Sequence, residues 1–170
     1  YALFMALKRH FGMKSWTEWE DEDIRLRKPA AMAKYRELLR EDIELFTYIQ
    51  YLFFEQWTKL KAYINGLGIG IIGDIPIYVA MDSADVWAEP EFFQLDEKNL
   101  PVEVSGVPPD DFSAEGQLWG NPLYDWDKMQ SDGFGWWIRR IDGAGKMYDV
   151  IRIDHFRGLA SYWAVPYGET

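Results

Sequence analysis

Three residues near the end of this 170-residue chain have the types and spacing that chemistry needs. In YDVIRIDHFRG (148–158), Arg152, Asp154 and His155 stand among Val, Ile and Phe. The apolar run reads as a strand, in which residues two apart share a face. Arg152 and Asp154 then lie on one face, while Ile151, Ile153 and His155 take the other until the backbone turns. Two readings fit. The charges form a buried ion pair, or they floor an active site at a strand's C-terminal end, where parallel α/β enzymes gather their catalytic groups. A buried pair is a poor source of stability, because desolvating two charges can cost more than their attraction returns. The RxDH pattern alone is not specific.

A second carboxylate sits in a similar place. GIGIIGDIPIYVA (68–80) is too continuously apolar for a half-exposed strand and is typical of a parallel strand covered on both faces. Pro76 has no N–H to give a ladder, so the strand stops near Asp74. An Asp beside Gly and Pro is most simply a turn or cap residue. The repetition adds an alternative: if the two strands are neighbours, Asp74 and Asp154 face one pocket. GVPPDDFSAEGQLWGNPLYDW (106–126) carries Phe112, Trp119, Tyr124 and Trp126 between rigid prolines and glycines. Such a tract either packs its own rings, as compact loops do, or walls a sugar cleft, with pyranose C–H faces on the rings and hydroxyls on Asp, Asn and Arg.

These residues must be positioned by the rest of the chain. Residues 1–12 read as a short apolar helix closed by Gly12, and the acidic SWTEWEDED (15–23) as a solvated helix start. From Pro29 to Gly66 apolar residues recur at helical steps, with a break near Glu41. Residues 81–125 read as a long irregular excursion with one short hairpin around FFQLDEKNLPVEV (92–104). Helical spacing returns over 126–147 before the DVIRID strand. This order predicts a mixed α/β fold with parallel strands.

Composition narrows the function. With 18 Lys and Arg against 28 Asp and Glu, the net charge of −10 argues against nucleic acid and anionic membrane as partners. No apolar stretch approaches the roughly 18 residues of a membrane span. Two histidines and no cysteine leave no expected metal site, and His10 reads as a packed or surface residue. No cofactor is expected. The lack of cysteine and of a leader fits a cytoplasmic setting. Nine Trp, ten Tyr and ten Phe exceed the needs of an ordinary core, which points to rings kept for a ligand with flat apolar faces.

Taken together and in this order, GDIPIYVAMDSADVWAEPEFF (73–93), GVPPDDFSAEGQLWGNPLYDW and IRIDHFRG (151–158) closely resemble the amylomaltases, or 4-α-glucanotransferases, of glycoside hydrolase family 77. The resemblance runs from about Phe46 onward. It implies part of a (β/α)₈ barrel, with strand three ending near Asp74, an insertion over 81–125, and strand four at DVIRID. It implies retaining transfer of α-1,4-glucan segments, with maltooligosaccharides, starch or glycogen-derived glucans and glucose as partners. By resemblance Asp154 is the nucleophile that forms a covalent glucosyl-enzyme, and Arg152 holds it ionised. His155 and Asp74 bind hydroxyls of the sugar at the cleavage point. Trp119 sits in the loop covering the cleft and Phe112 near the acceptor sites, while Asp111 stands where some members carry a second aromatic. The family's acid/base glutamate and a further aspartate come from later strands. The chain, which starts at Tyr1, therefore looks like a segment holding the nucleophile half of a site, inactive by itself. An α-amylase-type hydrolase and a non-catalytic glucan-binding protein are the rival readings.

Overall fold

The computed structural model describes residues 1–111 and 113–169. Helix α1 (Ala2–His10) ends as expected, with Gly12 in the left-handed region. The acidic stretch after it supplies Asp21, whose carboxylate accepts from the N–H groups of Asp23 and Ile24 and so caps α2 (Glu22–Arg25). Pro29 opens α3 (Pro29–Leu38), and the chain breaks at Leu39 before α4 (Arg40–Gly66). Strand β1 (Ile72–Ile75) follows and is halted by Pro76. Next come α5 (Ala84–Ala88), β2 (Glu103–Val107), β3 (Gln117–Pro122), α6 (Trp126–Ser131), α7 (Gly135–Met147), β4 (Val150–Ile153) and β5 (Trp163–Pro166).

The strands form two sheets. β1 and β4 pair in parallel, with Asp74 opposite Arg152 in the register. β3, β2 and β5 form an antiparallel sheet in that order, with Val104 opposite Val165 and Gly106 opposite Trp163. Mixed α/β architecture with neighbouring parallel strands therefore holds.

Two expectations are corrected. The parallel strands are not covered on both faces. Among the described residues they pair only with each other, and Ile72 and Val150 are exposed. The excursion after Asp74 is not irregular throughout. The hairpin turn exists, closed by the Leu95–Pro101 bridge and by Asp96, which accepts from the N–H groups of Lys98 and Leu100. Beyond it, however, β2 and β3 build a sheet that β5 completes. The helical spacing over 126–147 is met, in two helices. Gly133 and Phe134 both adopt left-handed backbone, which breaks the run.

The core lies under the excursion and the N-terminal helices. Phe4, Leu7, Trp16, Trp19, Ile24 and Trp87 pack together, and Phe93, Tyr124, Met129, Trp136 and Trp137 extend that cluster. Much of the aromatic excess is thus structural. Burying each such apolar side chain stabilises by about 1.5–3 kcal/mol relative to leaving it in water.

A polar node ties the N-terminal ends of the parallel pair to α4. The Asp149 carboxylate accepts from Lys61 Nζ at 2.6 Å, Asn65 Nδ2 at 2.7 Å and the Ile71 N–H at 2.8 Å. Those donors, the Lys61 ammonium first, hold its carboxyl down at about 2. Nearby, the Trp57 indole donates to the Met147 carbonyl at 2.9 Å, fastening α4 to the end of α7.

Candidate active site

The opposite ends of the same strands carry the charged residues picked out in the sequence. Arg152 lies inside β4, and Asp154 follows its last residue, with its N–H bonded to the Ile75 carbonyl at 3.0 Å. Register places Asp74 on the neighbouring strand beside Arg152, so the three side chains meet. One guanidinium nitrogen of Arg152 donates to Asp74 and another to Asp154 at 2.5 Å. A single cation is shared by two carboxylates, which leaves one negative charge uncompensated.

Accessibility bears on the ion-pair reading of this cluster. The side chains of Arg152, Asp74 and Asp154 are 56%, 56% and 59% exposed. This is not a buried ion pair, and exposed pairs contribute only about 0–1 kcal/mol to stability. The carboxylate oxygens face open space at the C-terminal edge of the strands. Asp74 is also not a helix cap: its carboxylate engages Arg152 across the sheet.

His155 is turned out of strand geometry. Its φ of 50° is left-handed, unusual for a residue with a side chain, and it starts the 3₁₀ turn Phe156–Leu159. The Trp119 ring meets the imidazole edge-on at 4.9 Å. On its other side His155 lies against Gly158. A Cβ there would come within 2.8 Å of both the His155 ring and the Ile77 side chain, so the close packing requires glycine. The Trp119 indole donates to Gln117 at 2.9 Å and is 37% exposed, open enough to meet a ligand.

A cavity of about 540 Å³ adjoins the site, lined by Gly106 to Asp110, His155, Arg157 and Ser161 to Trp163. It reaches His155, the residue after Asp154, and is not lined by Asp74, Arg152 or Asp154. Sequence reading missed Arg157, Tyr162 and Trp163 as lining residues. The tract IRIDHFRG contains Arg157, but nothing in its local pattern shows that β5 folds back against β2. Tyr78 was also missed. Its ring lies between Trp119 and Tyr124, and its buried hydroxyl, pushed up to about 12 by burial, has no hydrogen-bond partner among the described residues. Phe112 lies outside the described residues. Asp111 is exposed, and the Tyr124 and Trp126 rings pack against each other and against Trp137, as a loop that packs its own aromatics would.

His10 is a packed surface residue, as its place in an apolar helix suggests. His10 packs edge-on to Phe11 and Tyr35 at 4.8 and 5.6 Å. Among the described residues no group of three or more His, Asp or Glu could hold a metal ion. No helix there is long and apolar enough to cross a membrane.

Comparison with known proteins shows the family. A family model described as 4-alpha-glucanotransferase matches residues 1–170, further toward the N-terminus than the motifs alone. The chain is 53% identical over 170 residues to a 4-alpha-glucanotransferase of Clostridium butyricum, covering 99% of this chain and 35% of that protein. It is 51% identical over 166 residues to one from Thermus thermophilus, covering 98% of this chain and 33% of that protein. Among solved structures, the amylomaltase from Streptococcus agalactiae in complex with acarbose superposes with a TM-score of 0.95 at 50% identity, over 99% of this chain and 34% of that one. The chain thus spans about a third of the length of these relatives. Over all 170 of its residues, this chain belongs to the 4-alpha-glucanotransferase family.

Proposed function

We propose that this chain is the nucleophile-bearing segment of a 4-α-glucanotransferase that moves α-1,4-glucan segments from a donor to the 4-hydroxyl of glucose or a maltooligosaccharide. The observation that carries the reading is the Arg152 guanidinium shared by Asp74 and Asp154 at the C-terminal ends of adjacent parallel strands. In this reading β1 and β4 are neighbouring staves, three and four, of a (β/α)₈ barrel, and residues 81–125 are an insertion between them. Chemistry at the C-terminal face of such a barrel is the rule.

Asp154 attacks the anomeric carbon as the leaving 4-oxygen takes a proton from an acid supplied by another part of the enzyme. A covalent glucosyl ester results, and the acceptor hydroxyl then displaces it with net retention. Arg152 keeps Asp154 ionised and aimed, because a cation at hydrogen-bond distance favours the charged form of a carboxylate. Asp74 and His155 take hydroxyls of the sugar at the cleavage point. Trp119 offers its face to a neighbouring sugar, with Phe112 assigned to the acceptor side. Transfer prevails over hydrolysis only where the ester is shielded from water, a task that falls to the aromatic excursion. Maltooligosaccharides, starch or glycogen-derived glucans and glucose are the expected partners, in a cytoplasmic setting. The complex of the S. agalactiae relative with acarbose supports a saccharide-type ligand.

The test is incubation of the intact enzyme with maltotriose. A ladder of longer oligosaccharides with free glucose is expected. Breakdown to maltose and glucose alone would establish a hydrolase, and binding without turnover a glucan-binding protein.

A further inference from the structure

Asp74 owes its position to more than the ladder between β1 and β4. Pro76 ends β1, and the chain bends at once, which leaves the carbonyls of Pro76 and Ile77 outside any sheet. Carbonyls near the interior need donors. Arg140, on α7, supplies them: one guanidinium nitrogen donates to the Pro76 carbonyl at 2.5 Å and another to the Ile77 carbonyl at 3.0 Å. The buried Tyr124 hydroxyl donates to the same Ile77 carbonyl at 2.6 Å and receives a longer bond from Arg140 at 3.3 Å. The guanidinium is held in turn against the Trp136 and Trp137 rings, at 5.4 and 5.0 Å from their centroids.

The connectivity gives this clamp its meaning. α7 runs directly into β4, which carries Arg152 and leads to Asp154. Arg140 therefore ties the element that places the nucleophile to the bend two residues beyond Asp74. Resting on the proposed transferase reaction, we infer that Arg140, assisted by the Tyr124 hydroxyl, is a positioning residue that fixes the Asp74 carboxylate against Arg152 and Asp154. It touches neither substrate nor the reacting atoms. Its fork matches two successive carbonyls, which a lysine's single ammonium cannot reproduce.

The experiment is steady-state transfer from maltotriose by the intact enzyme carrying Arg140→Lys or Tyr124→Phe, each also combined with Asp74→Asn. Small misplacements of a binding group cost up to about 100-fold, so Arg140→Lys should lower kcat by about 10- to 100-fold with KM little changed. Tyr124→Phe keeps the ring and should cost less, about 3- to 10-fold. In the Asp74→Asn background, read with an activated glucosyl fluoride donor that keeps crippled variants measurable, either change should add less than about twofold. Arg139→Lys is the control: its partner Glu89 is on the surface, and wild-type kcat is expected.

A merely structural role predicts lower thermal stability with normal kcat per folded molecule, or losses that multiply equally in both backgrounds. Either outcome overturns the inference. If Arg140→Lys does not fold, Tyr124→Phe decides alone, and undiminished kcat overturns it. If Asp74→Asn is inactive on every donor, the split between kcat and KM in the single variants decides. A wild-type enzyme that fails to elongate maltotriose refutes the transferase reading instead, so the two failures are told apart.

Discussion

The two ends of the β1–β4 pair make opposite use of the same residue types. At the N-terminal end, Asp149 meets one cation and two further donors, and the charges of Lys61 and Asp149 balance. Both side chains are mostly covered, at 21% and 28% exposure. At the C-terminal end one guanidinium serves two carboxylates, all three more than half exposed. The first arrangement satisfies its carboxylate within the protein. The second leaves carboxylate oxygens and net negative charge exposed, which adds little to stability.

Substitutions at the two ends should separate activity from stability. The largest effect is expected from Asp154→Asn in the intact enzyme: transfer falls by several orders of magnitude, as loss of a covalent nucleophile does, while the melting temperature barely moves. A large drop in melting temperature with residual transfer would erase the contrast. Asp149→Ala should do the reverse. It leaves Lys61, Asn65 and the Ile71 N–H without their shared acceptor, so the melting temperature falls clearly while kcat per folded molecule stays near wild type.

Between the two ends lies Gly73, where an added Cβ would run into the Tyr148 ring. Gly73→Ala should destabilise by about 1–3 kcal/mol, the usual cost of overpacking, measured by denaturant unfolding. Gly73→Ala combined with Tyr148→Ala should recover part of that loss.

A smaller effect sharpens the comparison through pH. The Asp149 carboxyl titrates at about 2 in the folded chain, below the ordinary carboxylate range. A depressed folded value means that the carboxylate's contribution is complete above the unfolded value, near 4, and is lost as pH falls toward 2. Unfolding midpoints should decline over that window, and Asp149→Asn should flatten the decline. An unchanged acid limb in the variant would remove Asp149 as the anchor.

How much of this was legible in the sequence follows from the range of each interaction. The period of two in a strand put Arg152 and Asp154 on one face, and their shared hydrogen bonding bears this out. Pro76 located the end of β1 beside Asp74 for an equally local reason. That the strands are neighbours came only as a condition, because pairing between residues 74 and 152 has no local signature. The antiparallel sheet escaped notice because β2 and β3 include Gly106, Gly120 and Pro122, residues that read as loop. Gly106 stands where a Cβ would lie 2.8 Å from the Gln117 carbonyl, a constraint visible only once the strands are paired. Arg140 sits in a helical run and resembles any surface arginine until its partners across the chain are known. The roles of the site residues came from long motifs in register, which no single residue pattern could supply.

The central claim is that Asp154 becomes covalently bonded to the sugar. The direct measurement is peptide mass mapping after the intact enzyme is quenched on a slow fluorinated α-glucosyl fluoride, which lets the glucosyl ester accumulate. A glucosyl adduct on Asp154, absent from the Asp154→Asn enzyme, is the predicted result. An adduct on Asp74 or on a residue outside the 151–158 stretch, in an enzyme that still transfers glucan, would contradict it.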